Sequence, residues 1–268
     1  MSLHCVPSVA NTTSVPAMRQ VDSQELLITQ AVRFLDEHSW EPVTIQDLAD
    51  HLFYSASHLT RTFTRVVGAS PMRYLAARRF QKAKYLLAAE YLDVLETCHE
   101  VGYSSAGTFS RRFVADVGLA PGEFRRAADR VCETELAAVS LWIPQTVARV
   151  RVRLDIPPEM RRGLGEAPYQ WIGTFATPVP CGPPITGTLR RGIAEVELPV
   201  HPAGPWLLAT LTPSSADVGE FLWPGTPFVA RHPVPVTGAE KTIMLPLRVA
   251  RSWEYPLLVA LPALHPRT

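Results

Sequence analysis

Two stretches of the chain set large apolar residues four apart behind a serine and fill the gaps with polar side chains. Residues 55–63 read SASHLTRTF and residues 105–113 read SAGTFSRRF, an offset of fifty positions. In the first, Leu59, Phe63, Val66 and Val67 form one stripe at helical spacing. Ser57, Arg61, Thr64 and Arg65 point the opposite way, with Thr60 on the flank. Ser55 is placed to cap this helix and Gly68 to end it. The same offset carries Ser55 to Ser105, Leu59 to Phe109, Thr60 to Ser110, Arg61 to Arg111, Phe63 to Phe113, Gly68 to Gly118 and Pro71 to Pro121. Cap, core, exposed arginine, terminator and following proline recurring at one offset mark a duplicated unit. Short amphipathic segments precede both helices, IQDLADHL behind Thr44 and VLETCHEV in the second copy. Each unit therefore reads as helix, tight turn, helix.

Two further helices frame the units. Asp22 with Glu25 predicts a capping box opening ELLITQAVRFLDEH. Ser70 and Pro71 start MRYLAARRFQKAKYLLAA, which has no internal breaker. At 1.5 Å per residue that connecting helix spans roughly 28 Å. With the width of its neighbours it can set the two outer helices about one turn of DNA apart, roughly 34 Å.

Past residue 130 the period changes. VARVRVRL, residues 147–154, alternates Val150, Val152 and Leu154 with Arg149, Arg151 and Arg153, the pattern of a half-buried strand. YQWIGTFA, GIAEVELPV, PWLLATL, TIMLPLRV and YPLLVALP are further strand candidates, separated by turn signals such as CGPP, PAGP, WPGTP and VTG. They predict an antiparallel sandwich of seven or eight strands, or a jelly roll. Proline usage agrees: residues 1–130 hold 5 of the 25 prolines and residues 131–268 hold 20. Proline is barred from helix interiors, so the first half can be helical and the second almost cannot. The expected fold is thus multi-domain, α then β. A disordered tail at 1–18 precedes an all-α module at 19–130, a linker at 131–146 and a Pro-rich all-β domain at 147–268.

Composition excludes several classes. The apolar runs are too short for a membrane span, and the first 18 residues lack a basic start and an apolar run of the secretory kind. Cys5, Cys98, Cys132 and Cys181 are scattered, without CxxC pairs or a finger-spaced His, as in reduced cytosolic proteins. The module at 19–130 carries 14 basic and 14 acidic residues. Attraction to a polyanion must therefore come from placement rather than net charge.

The segments TIQDLADHLFYSASHLTRTFTRVVGASPMRYLAARRFQKAKYLL and VGYSSAGTFSRRFVADVGLAPGEFRR resemble the AraC/XylS family of bacterial transcription regulators, over about residues 20–130. The second carries that family's Gly–aromatic turn, its Phe-x-x-x-Phe helix and its Pro-x-x-aromatic-Arg ending. The resemblance implies a homeodomain-like module of seven helices with two recognition helices, about 56–67 and 106–117, in successive major grooves. By position it implies base-facing places at Ser57, Thr60 and Arg61 in the first unit and Ala106, Gly107, Thr108 and Arg111 in the second. Ser55, Arg65, Lys82, Ser105 and Arg112 are the candidate backbone contacts, with Arg78 and Lys84 beside them; His58 stands between backbone contact and plain helix surface. Arg61 is the leading candidate, since an arginine in a major groove can bond a guanine edge twice.

Three departures bear on this. Phe53 replaces the usual turn glycine and predicts a looser turn. Thr97 and Cys98 replace an apolar–Ala pair, and a core Thr needs an acceptor. Ala106 and Gly107 offer no hydrogen bond to a base, so the second unit is expected to grip the backbone more than it reads sequence.

The β half offers little chemistry. His201, His232 and His265 are isolated, so no metal or cofactor is expected; Glu195 and Glu197 mimic a carboxylate pair but suit a solvated strand face. Trp171, Trp206, Trp223 and Trp253 suit core or rim better than a pocket. The expectation is a cytoplasmic, non-enzymatic, sequence-specific DNA-binding regulator. Its expected partners are double-stranded DNA, RNA polymerase, a small-molecule effector and a second copy joined through the β domain, with no membrane. The alternatives are a DNA-tethered enzyme or ligand-binding β domain, and a degenerate module that serves protein contacts.

Overall fold

The computed structural model describes residues 16–132, 139–141, 148–203, 205–215 and 227–258. Seven helices come first: α1 (Pro16–Glu37), α2 (Ile45–Leu52), α3 (Ala56–Val67), α4 (Pro71–Ala88), α5 (Val94–Glu100), α6 (Ala106–Val117) and α7 (Pro121–Cys132). Their starts are written locally. Thr44 and Asp47 form a capping box on α2, Asp93 and Glu96 form one on α5, and Ser55, Ser70 and Ser105 cap α3, α4 and α6. Only α1 departs: it begins at Pro16, so Asp22 lies inside the helix and is not its cap. Residues 17–22 contain no breaker and proline is tolerated in a first turn, so the helix runs back past the expected start. Residues 1–15 of the expected tail lie outside the described residues.

Aromatic rings tie the two units to α4. Tyr74 near its start meets Phe63 of α3 edge-on at 5.7 Å, while Phe80 lies 6.1 Å from Phe109 and 5.7 Å from Phe113 of α6. Phe113 in turn packs on Phe124 of α7 at 5.9 Å. All are buried, so this row is both the core of the module and the frame that holds α3 and α6. Departures from the expected pattern fall on its edge. Cys98 donates its S–H to the Tyr103 carbonyl at 3.5 Å, closing the turn of the second unit. The Thr97 hydroxyl, fully buried, finds no acceptor, so the desolvation cost of that substitution stands.

The β half has nine described strands and one helix: β1 (Val139–Leu141), β2 (Ala148–Asp155), α8 (Pro158–Leu164), β3 (Tyr169–Phe175), β4 (Thr186–Arg191), β5 (Val196–Val200), β6 (Trp206–Thr212), β7 (Phe228–Arg231), β8 (Thr242–Pro246) and β9 (Arg248–Val249). A six-stranded sheet runs β1-β4-β3-β6-β7-β9 and a three-stranded one runs β5-β2-β8. Val150, Val152, Leu198, Ile243 and Leu245 of the small sheet share a core with Ile172, Ala209, Leu211 and Ala230 of the large one, which makes a sandwich.

Several details differ from the sequence reading. β2 and β8 pair in parallel, the one exception among the described pairs to the antiparallel expectation. α8 puts a short helix where none was expected, because Pro158 occupies its first turn, where a missing N–H costs nothing. β1 lies inside the expected linker and pairs with β4. TIMLPLRV is two strands in different sheets; the chain switches at Pro246, and the Leu247 N–H donates to the Asp155 carbonyl at 2.8 Å. YPLLVALP is not a strand over its described part, residues 255–258.

Candidate nucleic-acid interface

α3 and α6 are matched objects. Each is 12 residues long, starts after a serine whose Oγ accepts the N–H three residues on, from His58 and Thr108, and ends at a left-handed glycine, Gly68 and Gly118. Leu59, Phe63 and Val67 are buried in one; Phe109, Phe113 and Val117 in the other. The remaining face is therefore fixed in register. Ser57, Arg61, Thr64 and Arg65 are exposed with Thr60 half-buried; Gly107, Arg111 and Arg112 are exposed with Ala106 and Thr108 half-buried. Between the units α4 runs 18 residues, about 27 Å at 1.5 Å per residue.

The charge of the module is sorted by this arrangement. α3 and α6 hold four arginines and one acid, Asp116. Most other described basic groups of the module are engaged by protein acceptors, at the surface or within the fold. Arg33 pairs with Glu37, and Arg78 holds both carboxylate oxygens of Asp36 on α1, at 2.8 and 3.2 Å. Arg79 donates to the Ser39 and Glu41 carbonyls, and Arg125 donates to the Leu92 carbonyl. Lys82 Nζ donates to the Glu100 carbonyl at 3.3 Å, at the end of α5. Lys84 is 2% exposed beside the Phe124 ring, and burial lowers its pKa to about 7. Arg78 and Lys84 thus leave the set of backbone candidates, since one is neutralised and the other is inside the core. Among the described residues Arg61 and Arg111 engage no protein acceptor.

The first turn is tight, not looser as expected. Phe53 adopts the left-handed conformation itself, φ 58°, and the Phe53 and Tyr54 amides close onto the Asp50 and Ala49 carbonyls. Gly102 takes the equivalent φ in the second unit, whose turn is one residue longer before its capping serine. Phe53 is 95% exposed. Tyr54 stacks on His58 at 5.4 Å, and His58 lies 3.5 Å from Thr62 Oγ1, to which Arg65 also donates. His58 is therefore tied to its own helix. Burial pushes the Tyr103 hydroxyl up, with the Arg112 guanidinium in hydrogen-bonding reach pulling it back. Neither aromatic partnership was legible in the repeat, because Tyr54 has no aromatic counterpart at Ser104.

The β half resolves differently. Arg149 of β2 pairs with Glu197 of β5 at 3.8 Å and Arg153 with Glu195, just before β5, at 3.5 Å, which accounts for the apparent carboxylate pair and for two of the three arginines of the stripe. Trp171 is buried beside Phe175, Trp206 borders the same cluster, and Trp253 packs toward the helical core. Trp223 and His265 lie outside the described residues. No three His, Cys, Asp or Glu side chains converge among the described residues, and no described helix is long and apolar enough to cross a membrane.

The family comparison falls on the helical half. A family of helix-turn-helix domains matches residues 48–127. The chain is 29% identical over 127 residues to the uncharacterized HTH-type transcriptional regulator YdiP of Escherichia coli K12, covering 47% of this chain and 41% of that protein. It is 31% identical over 98 residues to the RCS-specific HTH-type transcriptional activator RclR of the same organism, covering 37% of this chain and 34% of that one. The chain therefore spans well under half the length of these relatives. Among solved structures, the C-terminal domain of AraT, a response regulator from Geobacillus stearothermophilus, is 28% identical with a TM-score of 0.37, covering 37% of this chain and 84% of that one.

Proposed function

We propose that the chain, whose residues 48–127 match a family of helix-turn-helix domains and resemble the AraC/XylS type, is a DNA-binding transcription regulator that lays α3 and α6 in successive major grooves. One observation carries this reading: Arg61 and Arg111, fifty positions apart, stand exposed and unengaged on equivalent faces of two helices framed by α4. Elsewhere in the module most cations serve the fold, so the favourable field for a phosphate backbone is concentrated where the groove would lie. Ser57, Thr60 and Arg61 read bases in the first half-site. In the second, Thr108 and Arg111 face the bases beside a Gly107 that leaves room but bonds nothing. Ser55, Arg65, Ser105 and Arg112 hold the backbone, and Lys82 contributes only if it leaves the Glu100 carbonyl.

In this reading the β half is the regulatory half, through a bound effector or a second copy, and RNA polymerase is the partner on the DNA; the resemblance reaches only about residues 20–130, so the β role is part of the proposal itself. A cytoplasmic setting goes with them.

Selection of bound duplexes from a random pool with the full chain, followed by footprinting, tests the proposal. Arg61→Ala is expected to weaken the selected site by about 1–3 kcal/mol and relax preference within one half-site. Arg111→Ala is expected to weaken binding with less change in preference. A footprint unchanged by either substitution would sink the groove assignment.

A further inference from the structure

Two segments of the β half are built into the core of the helical half. Val179, in the loop between β3 and β4, and Tyr255 and Leu258, after β9, are buried in the apolar cluster that α1–α7 form, with Cys181 and Trp253 packed against it. Their contacts follow a line. At one end Val179 lies over Gly68, which closes α3; a Cβ on that glycine would sit 2.4 Å from Val179 Cγ2. At the other end Gly182 faces the Ala115 carbonyl in the last turn of α6, 3.4 Å from where its own Cβ would be. Between these ends the Tyr74 hydroxyl of α4 donates to the Ser252 carbonyl at 3.3 Å, and the Tyr74 and Tyr255 rings meet edge-on at 6.4 Å. Arg73, also on α4, lies within electrostatic reach of both Cys181 and Asp116 of α6. On the flank Arg251 reaches Glu25 of α1 at 3.1 Å.

One face of the β half therefore touches the C-terminal ends of both helices assigned to the grooves. α4 alone fixes their separation along its axis, but rotation of one unit about that axis is resisted only by side-chain packing. A second link across the helix ends removes that freedom. We propose that residues 176–185 and 250–258 brace α3 against α6, so that the β half, together with α4, sets the half-site spacing the chain accepts. This rests on the DNA-binding reading above. Each base pair inserted between half-sites moves the second by about 3.4 Å and turns it by about 35°. A braced pair cannot follow that movement, whereas an unbraced pair follows part of it.

The test uses the full chain, the duplex enriched by selection, and duplexes with one or two base pairs added or removed between half-sites. The wild type is expected to lose about 100-fold in affinity at two added base pairs, as simultaneous engagement fails. The double variant Val179→Gly, Tyr255→Ala is expected to bind the original duplex about 10-fold more weakly and to lose no more than about 5-fold on the same insertion. Should the double variant fail to fold by circular dichroism, Val179→Ala is read in the same way. A folded variant that keeps the wild-type spacing profile overturns the brace. Amide exchange on the free proteins separates this outcome from failure of the DNA reading: faster exchange in the last turns of both α3 and α6 of the variant supports the brace. Unchanged exchange overturns it even if no duplex is enriched by the wild type.

Discussion

Phe53 carries two costs, since a β-carbon is disfavoured at φ 58° and a phenyl ring is left 95% in water. Glycine relieves both, so Phe53→Gly is expected to stabilise the chain by about 1 kcal/mol, read from urea melts. Lys84 shows the opposite situation, a charge hidden rather than an apolar ring shown. Burial lowers its pKa from 10.5 to about 7. Below pH 7 folded and unfolded chains both hold the proton, and the fold bears the cost of burying a cation. Between pH 7 and the unfolded pKa only the unfolded chain is protonated, so this group makes stability climb with pH. Lys84→Met is expected to raise the melting temperature at pH 6 and to flatten the climb from pH 7 to 10, measured by melts across that range. A wild-type melting temperature that falls between pH 7 and 9 relative to the variant contradicts this account.

At the scale of elements, the two matched helices α3 and α6 differ in their first turn. Gly107 sits in α6 with only Ser105 Oγ, 4.0 Å away, near the place of an added Cβ. Gly107→Ala is therefore expected to stabilise the chain by up to about 1 kcal/mol. If the second unit grips the backbone, the variant binds the selected duplex within about twofold of wild type; a tenfold loss means that a base edge or phosphate needs that space. The helices were legible in the sequence because their information is local: Ser55 and Ser105 lie beside the first turns they cap, and Leu59 and Phe63 lie one turn apart. The strands were legible only in part. VARVRVRL has a clean period of two and is β2, but TGTLRR and FVAR, which form β4 and β7, are too short to show one. TIMLPLRV reads as one strand since nothing in an apolar run says that Pro246 hands the chain from one sheet to the other. In the site, the register of Arg61 and Arg111 was written in the repeat. The withdrawal of Arg78 by Asp36, 42 positions away, was not.

For the whole molecule, the decisive contacts join residues far apart in the chain. Glu254 is held by Arg248 through two hydrogen bonds, at 2.7 and 2.8 Å, and lies 3.2 Å from Arg231. Its carboxyl is held below the usual range: burial would raise it, and the hydrogen bonds from Arg248 with the charge of Arg231 outweigh that. This network anchors the segment at 250–258 to the large sheet on one side, while Tyr255 and Leu258 enter the helical core on the other. YPLL looks like a strand because its complement, the hollow beside Tyr74, is about 180 positions earlier, and no window of sequence sees both. There is a consequence for biosynthesis. Domains emerge from the ribosome in order and usually fold as they appear. Here the seven helices come out with their core lacking Val179, Tyr255 and Leu258, so the module that would bind DNA is completed only after residue 258 has left the exit tunnel, and a nascent or truncated chain presents an unfinished reader.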